Sequence, residues 1–252
     1  NNEFVGIMYK KWYNWGKYKK EMEQYMEDDI QILIYNITEN ISKVIESIER
    51  NKFNMDKLTD NEKARLKIFE EYTDLNETYE SIKNCLIYIN SFPFYPRVTK
   101  VDYLKFIYSA YLNEIYILQS RISKLTKTIK RSLKEYKEEK NFNADFTVID
   151  NSTNNAIDRF KRIIEIRGAH VHVKRYATKD IDNVESYEFI SKFRDSEKYN
   201  IVFKYEIKEL KKKYVNKIKK NQEQIEKILK LYLQDINDFL FKKEYIKKVK
   251  NY

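Results

Sequence analysis

"YLKFIYSAYLNEIYILQSRISKLTKTI", Tyr103 to Ile129, decides the architecture. Within it Leu104, Tyr108, Tyr111, Ile115, Leu118, Ile122, Leu125 and Ile129 recur at steps of three and four. That spacing returns apolar side chains to one side of a helix, whereas a half-buried strand would alternate. The stretch contains no Gly and no Pro, the residues that cost most inside a helix. It predicts one helix from about Asp102 to Lys140, buried along a single stripe.

The same rhythm extends outward in both directions. Upstream, "TDNE" at Thr59 to Glu62 has the spacing of a capping box. The helix it opens carries Phe69, Tyr72, Leu75, Tyr79, Ile82, Leu86 and Ile89 and must stop before Pro93 and Pro96. Earlier still, Met22, Met26, Ile30, Leu33, Ile37, Ile41, Val44 and Ile48 predict a helix over about Lys17 to Arg50. Downstream, Ser152, Thr153 or Asn154 is expected to cap a helix bearing Ile157, Phe160, Ile163 and Ile164. A shorter helix is expected near Asp180 to Phe193. The last, from about Tyr205 to Lys248, places Ile207, Leu210, Tyr214, Ile218, Ile225, Leu229, Tyr232 and Ile236 on one stripe.

Single-stripe helices need partners, and the joining segments are short. The expected fold is therefore all-α, an elongated and mostly antiparallel helical bundle. Along the chain it divides into an N-terminal helical hairpin (1–96), a core (97–199) and a long basic C-terminal helix (200–252), forming one continuous unit.

Of 252 residues only three are Gly and two Pro, while 42% are hydrophobic, so a real core is affordable and wholesale disorder is not expected. The net charge of +10 is uneven. Residues 1–96 hold 13 basic and 17 acidic side chains, residues 97–199 hold 21 and 15, and residues 200–252 hold 15 and 7. A positive field over the later half attracts phosphate polymers, although a lysine-rich helix face is also simply well solvated. The longest apolar run, "IQILIYNI", is too short to span a bilayer, so no membrane partner is expected and the localisation expected is cytoplasmic. The chain begins at Asn1, not methionine, which leaves room for an upstream segment.

Composition also narrows the chemistry. The one cysteine, Cys85, has Ile82, Leu86 and Ile89 as neighbours and reads as a buried thiol. Three glycines, Gly6, Gly16 and Gly168, make neither a phosphate-cradling loop nor a serine elbow. The two histidines, His170 and His172, could give a metal two nitrogens, but no third histidine exists, and neither a metal nor another cofactor is expected. In "YKKWYNWGKYKK", Tyr9 to Lys20, Trp12 and Trp15 stand among lysines as in single-strand stacking surfaces, though such aromatics more often pack on a bundle.

What remains is "RGAHVHVKRY", Arg167 to Tyr176. RNA brings its own nucleophile, the ribose 2′-OH, so cleavage needs a proton-transfer group and a cation for the crowded phosphorus. Histidine titrates near neutrality and suits the first; arginine, planar and always charged, suits the second. Arg167 with His172, or with His170 as second choice, supplies both, and Lys174 and Arg175 could hold the RNA backbone. Residues five apart stand about 140° apart on an ideal helix, so this reading predicts a distorted helix around Gly168. The alternative is an ordinary helix end, where basic side chains are favoured by the helix dipole.

"RGAHVH", Arg167 to His172, has the R-x4-H form and resembles the motif of the HEPN superfamily, helical-bundle proteins that include RNA-cleaving toxins and defence nucleases. The order of the long helix over Tyr108 to Leu125, a loop and then the motif helix is similar too, and the resemblance covers about residues 100–195. It implies a HEPN-like core and a metal-independent endoribonuclease of toxin or antiviral-defence type. It also implies a homodimer, with two copies of the motif facing each other. RNA is then the expected partner, together with an antitoxin or other regulatory partner. The rival expectation is a basic helical scaffold that binds nucleic acid or a protein without cutting.

Overall fold

A computed structural model of the chain describes residues 57–91, 98–140, 144–171, 179–193 and 197–242; at 136–140, 162–171, 193 and 242 only the backbone is described. The helix expected at Lys17 to Arg50 and the tryptophan-bearing stretch lie outside the described residues. Those described form five α-helices and no strand: α1 Asp60–Asn90, α2 Lys100–Lys140, α3 Thr147–Val171, α4 Lys179–Phe193 and α5 Glu197–Asn237. A π-helical turn, Asp238–Lys242, continues α5. The all-α bundle expected from the spacing is what forms. Among the described residues no helix is long and apolar enough to cross a membrane.

Local chemistry sets the helix starts. At α1 the Glu62 amide donates to Thr59 Oγ1 (3.3 Å) and the Thr59 amide donates to Glu62 Oε2 (2.9 Å), which completes the capping box. At α2, Thr99 Oγ1 accepts from the Asp102 amide at 3.0 Å. At α3 the expectation is corrected. Asp145 Oδ1 accepts from the Thr147 amide at 3.0 Å, and the helix is already under way at Ser152 and Thr153, both buried within it. Ser and Thr fit a cap or a helix interior, and the carboxylate a few residues earlier binds the free amides first. α5 likewise begins at Glu197, ahead of the expected Tyr205.

The helices group into two compact units, each drawn from separated stretches of chain. Among the described residues, one comprises 57–73, 124–152 and 229–242. Its core holds Ile68, Phe69 and Tyr72 of α1, Leu125 and Ile129 of α2, Ile149 of α3, and Leu229, Tyr232, Leu233 and Ile236 of α5. Phe239, Leu240 and Phe241 are all buried, because the wider π turn lets consecutive side chains face inward where an α-helix would turn one of them out. Inside this unit the Thr126 and Tyr232 hydroxyls bond at 2.8 Å. Its surface is tied by Lys124 to Glu71 (3.0 Å) and Lys130 to Asp150 (2.7 Å).

The other unit comprises residues 74–123 and 153–228. Its core holds Leu75, Tyr79, Ile82 and Ile89 of α1, Leu104 to Ile122 of the α2 stripe, Ala156 and Phe160 of α3, Ile181 and Val184 of α4, and Ile207 to Ile225 of the α5 stripe. Here α1 runs antiparallel to α2, with Asp74 on Arg121 (2.5 Å) and the Tyr88 carbonyl on the Tyr103 hydroxyl (2.8 Å). It is antiparallel to α5 as well, with Tyr79 on Glu226 (3.3 Å) and the Ile82 carbonyl on Gln222 (3.0 Å). α2 and α5 run parallel: the Tyr108 and Tyr214 rings meet edge-on at 4.5 Å, and Tyr111 lies beside Asn221.

Candidate nucleic-acid interface

The expected catalytic residues sit at or beyond the C-terminal end of α3. α-Helical backbone runs unbroken from Thr147 through Arg167, Gly168 and His170 to Val171. The distortion expected around Gly168 is therefore absent as far as Val171. A lone glycine weakens a helix by about 1 kcal/mol but leaves its geometry allowed, and the twenty-one helical residues before it carry it through. By register, positions 167 and 170 stand about 60° apart around the axis. On the described backbone His170 thus shares a face with Arg167. Of the side chains of Arg167 and His170 nothing is described, and His172, Lys174 and Arg175 lie outside the described residues.

Four described titratable side chains with shifted pKa values, Cys85, Tyr111, Glu114 and Lys217, belong to the second unit. Burial, with some help from Glu114, pushes the Cys85 thiol up to about 11. Burial raises Tyr111, partly offset by the nearby Asn221 amide, and raises Glu114. Lys217, whose Nζ lies 5.2 Å from the Tyr108 ring centroid, is lowered by burial and by Lys213. Each of these four shifts favours the neutral form, as desolvation dictates. A protonated thiol that is 5% exposed is no nucleophile, so these groups serve packing. Among the described residues no group of three or more His, Cys, Asp or Glu could hold a metal.

The surface of the same unit is different in kind. Between Lys208 and Lys220 seven lysines face a single glutamate, Glu209. The buried stripe fixes which of them turn outward. Lys208, Lys212, Lys219 and Lys220 are exposed, and no described carboxylate pairs with them. Three others are engaged. Lys213 pairs with Asp180 of α4, Lys211 donates to the Asn90 carbonyl that ends α1 (2.8 Å), and Lys217 covers Tyr108. Burial, and after it the charge of Lys100, lowers Lys211. Segment-wise charge counts locate this excess only in residues 200–252. The individual outward lysines become readable once the helical phase of the Ile207, Leu210, Tyr214 and Ile218 stripe is applied to them.

α4 completes the surface. It buries only Ile181, Val184 and Glu188 well, and is fastened by Lys105 to Glu185 (2.6 Å) and by the Lys213 to Asp180 pair. Compared with known proteins, the chain matches no family model, no curated sequence and no solved structure.

Proposed function

We propose that the chain is a metal-independent endoribonuclease of toxin or antiviral-defence type. The observation that carries this reading is the R-x4-H sequence, Arg167 to His172, at the end of a bundle helix. The substrate's 2′ oxygen attacks phosphorus, the P–O5′ bond breaks, and the products are a 2′,3′-cyclic phosphate and a 5′-hydroxyl. A histidine, His172 or His170, takes the 2′-OH proton, and the departing 5′ oxygen takes a proton from the imidazolium so formed or from water. Arg167 offsets the charge that gathers on the equatorial oxygens. Two copies of the motif facing each other in a homodimer would double the kit, and Lys174 and Arg175 would steady the RNA. Such an activity calls for an antitoxin or regulatory partner.

A second reading is a basic helical scaffold that binds nucleic acid without cutting it. It is favoured by the unbroken helix through Gly168 and by Lys208, Lys212, Lys219 and Lys220 of α5, with which no carboxylate among the described residues pairs. Cleavage of a labelled RNA in excess EDTA separates the two. The ribonuclease reading expects cleavage by the wild type and a loss of at least 100-fold in Arg167→Ala and in one of His172→Ala or His170→Ala, in line with the contribution of a general acid–base group. Cleavage that survives all three substitutions, or its absence from the wild type, rejects that reading in favour of the scaffold.

A further inference from the structure

Around α5, at about 100° per residue, Ile201, Tyr205, Lys208, Lys212 and Lys219 fall within a sector roughly 60° wide, clear of the buried stripe. The sector runs about 27 Å along the helix. No acidic residue enters it until Glu223, one turn past Lys219. Its head is apolar and open to solvent: Ile201 is 61% and Tyr205 63% exposed. Unpaired cations in a row beside an exposed aromatic ring are what a single-stranded polyanion with stacking bases requires.

We propose that this face of α5 is the track along which single-stranded RNA is held, with Lys208, Lys212 and Lys219 on successive stretches of phosphate and Tyr205 stacked on a base. The choice of RNA among polyanions rests on the ribonuclease reading above. Charge complementarity carries the rest. Among the described residues no carboxylate pairs with the three lysines. A lipid surface fits less well. An interfacial helix inserts its apolar face, and the apolar face of α5 is spent on the core through Ile207, Leu210, Tyr214 and Ile218.

The test is fluorescence anisotropy with a labelled 2′-O-methyl RNA, whose blocked 2′ oxygen cannot attack, so binding is read apart from cleavage. Each phosphate contact to a single strand contributes about 0.7 to the slope of log K against log[salt]. Lys208→Gln/Lys212→Gln/Lys219→Gln should therefore reduce that slope by about 2 and weaken binding roughly 100-fold at about 0.1 M salt. Lys63→Gln/Lys127→Gln/Lys227→Gln removes the same charge elsewhere and should do far less. Tyr205→Ala should weaken binding roughly 5- to 100-fold, with Tyr205→Trp restoring it. The proposal is overturned if the two lysine triples behave alike, if the first leaves the slope unchanged, or if the wild type binds anionic vesicles but not the oligonucleotide. Should unmodified RNA stay intact while the oligonucleotide binds through these lysines, the track stands and only the catalytic reading falls.

Discussion

Tyr72 and Tyr232 are both 1% exposed in the core of the same unit, yet their hydroxyls fare differently. That of Tyr232 bonds Thr126 at 2.8 Å; that of Tyr72 has no hydrogen-bond partner among the described residues. Replacing either with Phe removes one oxygen and nothing else. For Tyr232 the loss breaks a net interaction with Thr126 of about 0.5–1.5 kcal/mol. For Tyr72 the fold already bears the desolvation cost of an unmade bond, about 1–3 kcal/mol. Tyr72→Phe should therefore stabilise by about 1 kcal/mol, and Tyr232→Phe should destabilise by about as much. In a chain of this length each kcal/mol moves Tm by about 2–4 °C, so the two variants should separate by roughly 4–8 °C. Urea midpoints at neutral pH give the same comparison without heating. An internal check comes from alkaline pH. Burial, followed by the charge on Tyr232, raises Tyr72 well above 10. A group raised in the folded state contributes fully below its unfolded pKa, and that contribution drains away as pH climbs above about 10. Tyr72→Phe should flatten this alkaline decline. A Tyr72→Phe variant that loses as much stability as Tyr232→Phe would refute the reasoning, and would mean that the Tyr72 hydroxyl is satisfied in solution.

Two further outcomes follow from the same geometry. Thr59→Ala removes the capping box of α1 and Thr99→Ala the cap of α2; each should cost about 1 kcal/mol by urea unfolding, and Thr→Ser at the same positions should recover most of it. Cys85, raised from its ordinary 9.0 to about 11, should resist N-ethylmaleimide at pH 8 in the native protein and react at once in urea. By linkage its contribution to stability should decline as pH rises from about 9 to about 11, and Cys85→Ala should lack that component.

The fold was legible because the code for it is redundant. All eight stripe residues of α2 from Leu104 to Ile129, and all eight of α5 from Ile207 to Ile236, are buried. A period repeated eight times survives local exceptions. One exception is instructive. The α5 stripe skips a beat between Ile218 and Ile225, where Asn221 and Gln222 face inward. Gln222 is accepted there because the Ile82 carbonyl of α1 takes its amide as a second donor; nothing in the linear pattern announces that partner. Single-residue signals read less well. Ser152, Thr153 and Asn154 look like caps, but Asp145 reaches the first amides. Tyr199 to Tyr205 breaks the period with outward Ile201, which hid the first turns of α5. Nor does the order of helices along the chain say which halves of α1, α2, α3 and α5 associate, because that depends on contacts between residues far apart in sequence. The candidate site was legible only as a spacing. The backbone adds that the helix stays regular to Val171, which brings position 170 onto the face of Arg167.

α4 has a consequence for the neighbourhood of the motif. Two buried aliphatic side chains, Ile181 and Val184, give it a thin apolar footing, and Asp180 and Glu185 hold it to lysines on α5 and α2. Exposed ion pairs are weak individually and are screened beyond about 8 Å at physiological ionic strength. α4 is thus seated by electrolyte-sensitive contacts in a fold otherwise held by hydrocarbon. The seven residues 172–178, with His172, Lys174 and Arg175 among them, join α3 to this helix. Ionic strength, or a polyanion competing for Lys213, consequently acts on one anchor of the segment that carries the proposed chemistry, and the bundle core need not change for that signal to reach it.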